Sequence, residues 1–285
     1  MLAIGDDNPL RHIRGAHVNH ALIAICVVAF FLVPETAIEY ALLPAQLVGD
    51  AGGVGVAAPG ATGVPGWATL VTYTFLHAGF LHLAGNMITL WVFGDNVEDA
   101  LGHWRYALFF LLAGAAGGLA EAALTGNPDL PVVGASGAVS GVMGAYLLLH
   151  PSAKIFVLVG YRVPVALPAG IFVGFLIALN LAMALSGDTA SMVAWWAHVG
   201  GFAAGMILVV PLRHRDVALF QPAHDVPERT GRFAFARRFV IDLTPKAPRG
   251  LPTGLRRSLG ERVVAVVKAL VFFIVIMLVV ELFVP

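Results

Sequence analysis

The stretch WRYALFFLLAGAAGGLAEAAL, residues 104–124, decides the class of this protein. It is almost entirely apolar and long enough to cross the hydrocarbon core of a bilayer, which takes about 20 residues of helix. Runs of the same character recur on both sides of it, at Val18–Val33, Leu83–Val97, Ser136–Leu149, Val163–Leu185, Ala194–Leu212 and Val263–Val284. Together with Trp104–Leu124 they predict an all-α, polytopic membrane helix bundle: a six-helix core plus a seventh C-terminal transmembrane helix. Leu83–Val97 and Ser136–Leu149 are short for full spans. A membrane tolerates that where the helix end lies in a protein-lined, water-filled cavity.

Composition agrees with this class. Hydrophobic residues make up 59% of the 285 and charged residues 12%, against about 25% charged in an ordinary globular domain. Mean hydropathy is +0.85. The formal net charge is zero, which gives no reason to expect a nucleic-acid partner. The single cysteine, Cys26, lies inside an apolar run. One cysteine excludes an intramolecular disulfide or a cysteine metal cluster and reads as a small apolar packing residue.

Charge placement gives the orientation. Most Lys and Arg residues fall between Arg213 and Arg262; Arg11 and Arg14 precede the first run, Arg105 lies between the second and third, and Lys154 follows the fourth. No Lys or Arg occurs between Gly15 and Trp104. With the N-terminus in the cytoplasm, the basic loops fall inside, as the positive-inside rule requires. The first apolar run follows a polar stretch and leads to no A-x-A-like cleavage site, so it reads as a retained span. The expected organisation is a cytoplasmic segment over 1–16, a six-helix domain over 17–212, a basic cytoplasmic linker over 213–262 and the extra transmembrane helix over 263–285. The outer loop Pro34–Gly66 is Gly-, Ala-, Pro- and Val-rich and poor in charge, which suits a segment partly in the membrane interface. The basic loop interleaves Phe and Arg at Arg232–Phe239. An interfacial segment on an anionic leaflet and a solvated linker both fit it.

Polar groups inside spans are expensive and call for a reason. Three clusters qualify: His77, His82 and Asn86; Gly134-Ala135-Ser136-Gly137; and Ala197-His198-Val199-Gly200-Gly201. A serine in a membrane helix can simply bond the carbonyl one turn back. Ser136, however, sits between Gly134 and Gly137 where a helix starts after Pro131. A helix N-terminus offers unpaired N–H groups that can hold an oxyanion. A nucleophilic serine also needs a base within hydrogen-bond reach. His198 lies near the outer end of its span, at the depth of Ser136. Gly137 with Gly141, and Gly201 with Gly205, form two small-xxx-small stripes that would let the serine and histidine helices pack closely. His82 and Asn86 are four apart and share a helix face, with His77 at the mouth. Helix-to-helix hydrogen bonding and stabilisation of a developing negative charge are both open to this trio.

The three clusters, in order on the second, fourth and sixth spans, resemble the rhomboid family of intramembrane serine proteases. The resemblance covers about Trp67–Leu212 and fits the first span. It implies a serine-type endopeptidase that cleaves transmembrane segments of membrane proteins, with Ser136 as nucleophile and His198 as base. It further implies an oxyanion hole of Asn86, His82 and the Ser136 amide, with His77, Gly134 and Gly137 in support. Glu98 resembles a structural acid at the inner end of the second span. The implied substrates are single-span proteins, the surroundings a lipid bilayer, and no cofactor or metal is involved. The implied location is a multi-pass protein of a bacterial inner (plasma) membrane, with the active site near the outer face. Two positions depart from one branch of the family. Ser140 stands where an aromatic ring would stack on the histidine, so a neighbour such as Trp195 or Trp196 is expected to fill the gap, and Trp67 is followed by Ala68 rather than Arg. Other readings fare worse. An inactive relative would lack Ser136 or His198, and a transporter would show a repeated half with broken helices. A zinc protease would need an HExxH glutamate, and an aspartyl protease two mid-span acids.

Overall fold

The structure, a computed structural model, describes residues 2–34, 38–48, 64–159, 163–187, 192–222 and 241–242. Its elements run β1 (Leu2–Asp6), α1 (His17–Leu32), α2 (Pro44–Val48), α3 (Gly66–Thr72), α4 (Phe80–Leu101), α5 (His103–Leu124), α6 (Ser136–Leu149), β2 (Lys154–Val159), β3 (Val163–Pro168), α7 (Ala169–Leu185), α8 (Trp195–Leu212) and β4 (Ile241–Asp242). Helices α1, α4, α5, α6, α7 and α8 overlap six of the seven apolar runs, and α1, α6 and α7 are the shorter of them, at 16, 14 and 17 residues. The seventh lies outside the described residues. Helices α5 and α8 are each long and apolar enough to cross a membrane. So is α4 if it is counted with Gly66–Phe75, from which it is bent by 83°.

Helix α6 is the centre. Small residues make it so: Gly137, Ala138, Gly141, Gly144 and Ala145 are all buried among α4, α5, α7 and α8. The glycine stripes do what their spacing predicts. A Cβ on Gly201 would land on the Gly137 carbonyl oxygen, and one on Gly205 on that of Gly141. Around this core the outer faces are apolar: Phe31 and Leu32 on α1, Leu108 and Leu112 on α5, Leu185 on α7 and Ile207 on α8 are exposed. Such a surface would aggregate in water and suits hydrocarbon.

The expectation of an all-α chain needs correction. A four-stranded sheet, in the order β1-β2-β3-β4, accompanies the helices, with β2 following the C-terminal end of α6 and Asp6 of β1 bonded to Tyr146 near that end. The run expected to open the fifth span at Val163 is instead a strand, and the helix begins at Ala169. Strand β2 pairs antiparallel with β3, Val157 facing Val165, and with β1 on its other side. Strand β4 lies parallel to β3. The reason is local. Pro164 and Pro168 lack the N–H that a helix interior needs, and the β-branched residues of both runs suit a pleated surface. Short apolar runs of this kind do not tell strand from helix by periodicity.

The same end is tied by buried acids. Helix α1 has no side-chain cap of its own. Glu98 supplies one from α4, accepting from Val18 N at 3.0 Å and Asn19 N at 2.7 Å, with His103 Nδ1 at 2.5 Å. The Asn19 side chain in turn donates to Leu90 O and accepts from Tyr106 Oη, so α1, α4 and α5 share one satisfied network. Asp99 gathers the backbone N–H groups of Arg11, His12 and Ile13. The first residues of the basic segment also fold back here, His214 N donating to Ala100 O and Phe220 N to Leu148 O.

Candidate active site

Ser136 is the first residue of α6, and the chain leading to it is held on two sides. Val132 exchanges two backbone hydrogen bonds with Leu42, at 2.7 and 3.0 Å, which docks residues 38–48 of the first long loop onto the approach to the serine. Gly134 N donates to Tyr73 O at 2.9 Å. Gly134 has φ +127°, in the region that side chains avoid, and a Cβ there would stand 2.6 Å from Cε1 of His82. The same point is 3.7 Å from Ser136 Oγ. Only glycine fits, and its absent side chain is what brings the His82 ring and the serine hydroxyl to one spot. Val139 N makes its bond back to Ala135 O, so the N–H groups of Ser136, Gly137 and Ala138 begin the helix without partners inside it.

His198 reaches the same place from α8. Helices α5, α6 and α8 meet where Gly117, Gly137 and Ala197 come together: a Cβ on Gly117 would lie 2.7 Å from Ala197 O and 3.3 Å from Gly137 Cα. Ser136 precedes one of these residues and His198 follows another. The start of α8 is fixed by Glu121 of α5, which accepts from Ala197 N at 2.9 Å. The His198 ring is edged by Trp195, with centroids 5.9 Å apart at 89°, and its Nδ1 lies 2.6 Å from Asn180 Oδ1 on α7. Ser140, which stands where an aromatic ring was expected to be replaced by a neighbour, is itself buried. Among the described residues, no hydrogen bond joins Ser136 to His198. Catalytic hydrogen bonds are often long in free enzymes and tighten on substrate.

Helix α4 and the turn just before it supply the remaining groups. His82 and His77 stack edge to face, with centroids at 5.2 Å. One turn deeper Asn86 is buried, and its Nδ2 has no partner. Both ring nitrogens of His77 are likewise buried. A buried donor without a partner costs about 1–3 kcal/mol and in a native structure asks for a reason. A site that receives an oxyanion is such a reason.

Two residues went unremarked in the sequence: Asn180, which meets His198, and Glu121, which caps α8. Each is legible afterwards by one signal. Asn180 is the one polar side chain of α7, and Glu121 the one acid of α5, and polar groups in apolar spans mark function or structure.

Comparison with known proteins gives a consistent answer. The model of the rhomboid domain matches residues 65–215. The rhomboid protease GluP of Bacillus subtilis (strain 168) is 33% identical over 147 residues, covering 51% of this chain and 26% of that protein. The mitochondrial RHOMBOID-like protein 6 of Arabidopsis thaliana is 34% identical over 149 residues, covering 49% and 41%. The mitochondrial rhomboid protein 1 of Saccharomyces cerevisiae (strain ATCC 204508 / S288c) is 32% identical over 147 residues, covering 49% and 40%. The match thus spans between a quarter and about two-fifths of the length of these relatives.

Proposed function

This chain belongs to the rhomboid family, and on that premise we propose that it is an intramembrane serine endopeptidase working through a Ser136–His198 dyad. The observation that carries the proposal is the convergence at the start of α6. Ser136 Oγ and the His82 ring share the space left by Gly134, and His198 adjoins the glycine contact on which α6 and α8 close. Relatives named as proteases support the same reading.

In this mechanism Ser136 attacks the scissile carbonyl of an unwound transmembrane segment. His198 takes the serine proton and returns one to the leaving amine. The tetrahedral oxyanion is held by Asn86 Nδ2, the His82 ring and the Ser136 N–H, and water releases the acyl-enzyme. His77 buttresses His82 through their edge-to-face contact. The partners are single-span membrane proteins within the bilayer, and no metal or cofactor takes part. We take 17–212 as the protease domain, because α1 is tied to the matched region through Glu98 and Asn19. The basic linker and the seventh span remain part of the proposal as sequence features outside it. The charge pattern supports a cytoplasmic N-terminus and a site near the outer face, as in a bacterial plasma membrane. Mitochondrial proteins stand among the relatives, so the orientation rests on the charges and not on the family.

The test is cleavage of a single-span substrate in proteoliposomes. Ser136→Ala and His198→Ala each abolish cleavage while the protein still inserts and folds. Cleavage that survives Ser136→Ala would sink the mechanism.

A further inference from the structure

The partner of His198 on α7 has a defined orientation. Asn180 Nδ2 donates to Leu176 O one turn back on α7 at 2.7 Å, while Asn180 Oδ1 faces His198 Nδ1 at 2.6 Å. Turning the amide over would set its oxygen against the Leu176 carbonyl oxygen and its NH2 against the imidazole, so the first contact fixes the second. An amide oxygen only accepts. The short contact to Nδ1 therefore requires the proton of the neutral imidazole to be on Nδ1, which leaves a lone pair on Nε2. That tautomer is the one a base facing a serine needs. In serine triads a buried aspartate selects it. Within a membrane bundle a carboxylate carries a large desolvation cost, and a neutral amide performs the same selection without a charge.

We propose that Asn180 is a positioning residue for the reaction, holding His198 as the Nδ1–H tautomer with Nε2 free to accept the Ser136 proton. The inference rests on the dyad reading above and adds a third side chain, from a helix that contributes none of the motif residues. Asn180 touches neither the nucleophile nor the oxyanion site in this arrangement; it acts through His198 alone. Helix α7 packs on α8 and α6, so the amide reaches the imidazole from a helix beside both members of the dyad.

The experiment compares wild type, Asn180→Leu, Asn180→Asp and Ser136→Ala as full-length proteins in proteoliposomes with one single-span substrate. Asn180→Leu removes the acceptor and lowers kcat about tenfold or more, a part of the ~10²–10⁴ that general base catalysis supplies in full, with KM changed less than about twofold. Asn180→Asp keeps an acceptor at the same distance and restores kcat to within a few-fold of wild type. Nitrogen-15 NMR of labelled histidine, assigned by the loss of one signal in His198→Gln, finds the proton of wild-type His198 on Nδ1. That reading needs no Asn180 variant to fold. The proposal is overturned by a kcat for Asn180→Leu near wild type, by Asn180→Asp as impaired as Asn180→Leu, or by a wild-type proton on Nε2. The Ser136→Ala arm separates the two levels. Cleavage surviving there rejects the dyad itself; cleavage lost there but unaffected in Asn180→Leu rejects only the role of Asn180.

Discussion

At the scale of the residue, the unpartnered Nδ2 of Asn86 is the feature that most asks for an explanation, since α4 could have placed an apolar side chain there at no cost. Removing one oxyanion donor typically slows an enzyme by about 100- to 1000-fold. Asn86→Ala is therefore expected to lower kcat by that order, while a fluorophosphonate still attaches to the serine. Turnover within a few-fold of wild type would make Asn86 a packing residue. The members of the motif could be read from the sequence because each is a costly polar group in an apolar run, and the family pattern supplied their order. The Asn180–His198 and Glu121–Ala197 pairs could not be read that way. Their partners lie on different helices, and a lone Asn or Glu in a span announces a need without naming what meets it. The Trp195 contact with His198 was within reach of the sequence because the two residues lie three apart on one helix.

At the scale of the element, spans and stripes were legible and strands were not. A period of four in Gly137/Gly141 and Gly201/Gly205 speaks directly of backbone approach. By contrast, β2, β3 and β1 are short apolar runs whose partners are remote in sequence, and β1 lies in a segment that reads as a plain cytoplasmic leader. The stripes yield a paired prediction. Gly205 faces the Gly141 backbone, whereas Gly174 on α7 has nothing within 4 Å of an added Cβ. Gly205→Ala overpacks a contact that only backbone movement can relieve, and is expected to cost at least about 1–3 kcal/mol. Gly174→Ala removes backbone freedom from the unfolded chain without a clash, and is expected to be neutral or to stabilise by up to about 1 kcal/mol. Thermal unfolding in detergent compares the two. Equal effects would mean that the α6–α8 seam does not depend on its glycines.

For the whole molecule, the sheet end joins parts that the sequence reading kept separate. Asp6 of β1 accepts from Tyr146 Oη of α6 at 2.6 Å. Burial holds the Asp6 carboxyl well above the usual carboxylate range, and repulsion from Asp95 adds to this, against the pull of the Tyr146 hydroxyl. The folded protein thus binds a proton that the unfolded chain releases near pH 3.9, the ordinary aspartate value of about that size. The stability contributed is present below that pH and is lost as pH rises through the folded-state value. Asp6→Asn, which mimics the protonated side chain, is expected to flatten the fall in thermal stability from about pH 4 towards neutrality; parallel curves for variant and wild type would show that Asp6 ionises freely. The sheet beyond the end of α6 and the glycine-framed start of that helix belong to one helical membrane protein of the rhomboid family, and the proposed mechanism makes Ser136, at that start, its nucleophile. The most direct measurement of this claim is labelling of the intact protein in its membrane with a fluorophosphonate, followed by peptide mass spectrometry. The account predicts a single adduct on Ser136 in the wild type, with none in Ser136→Ala and a strongly reduced yield in His198→Ala. An adduct on another residue, or undiminished labelling of Ser136→Ala, would contradict it.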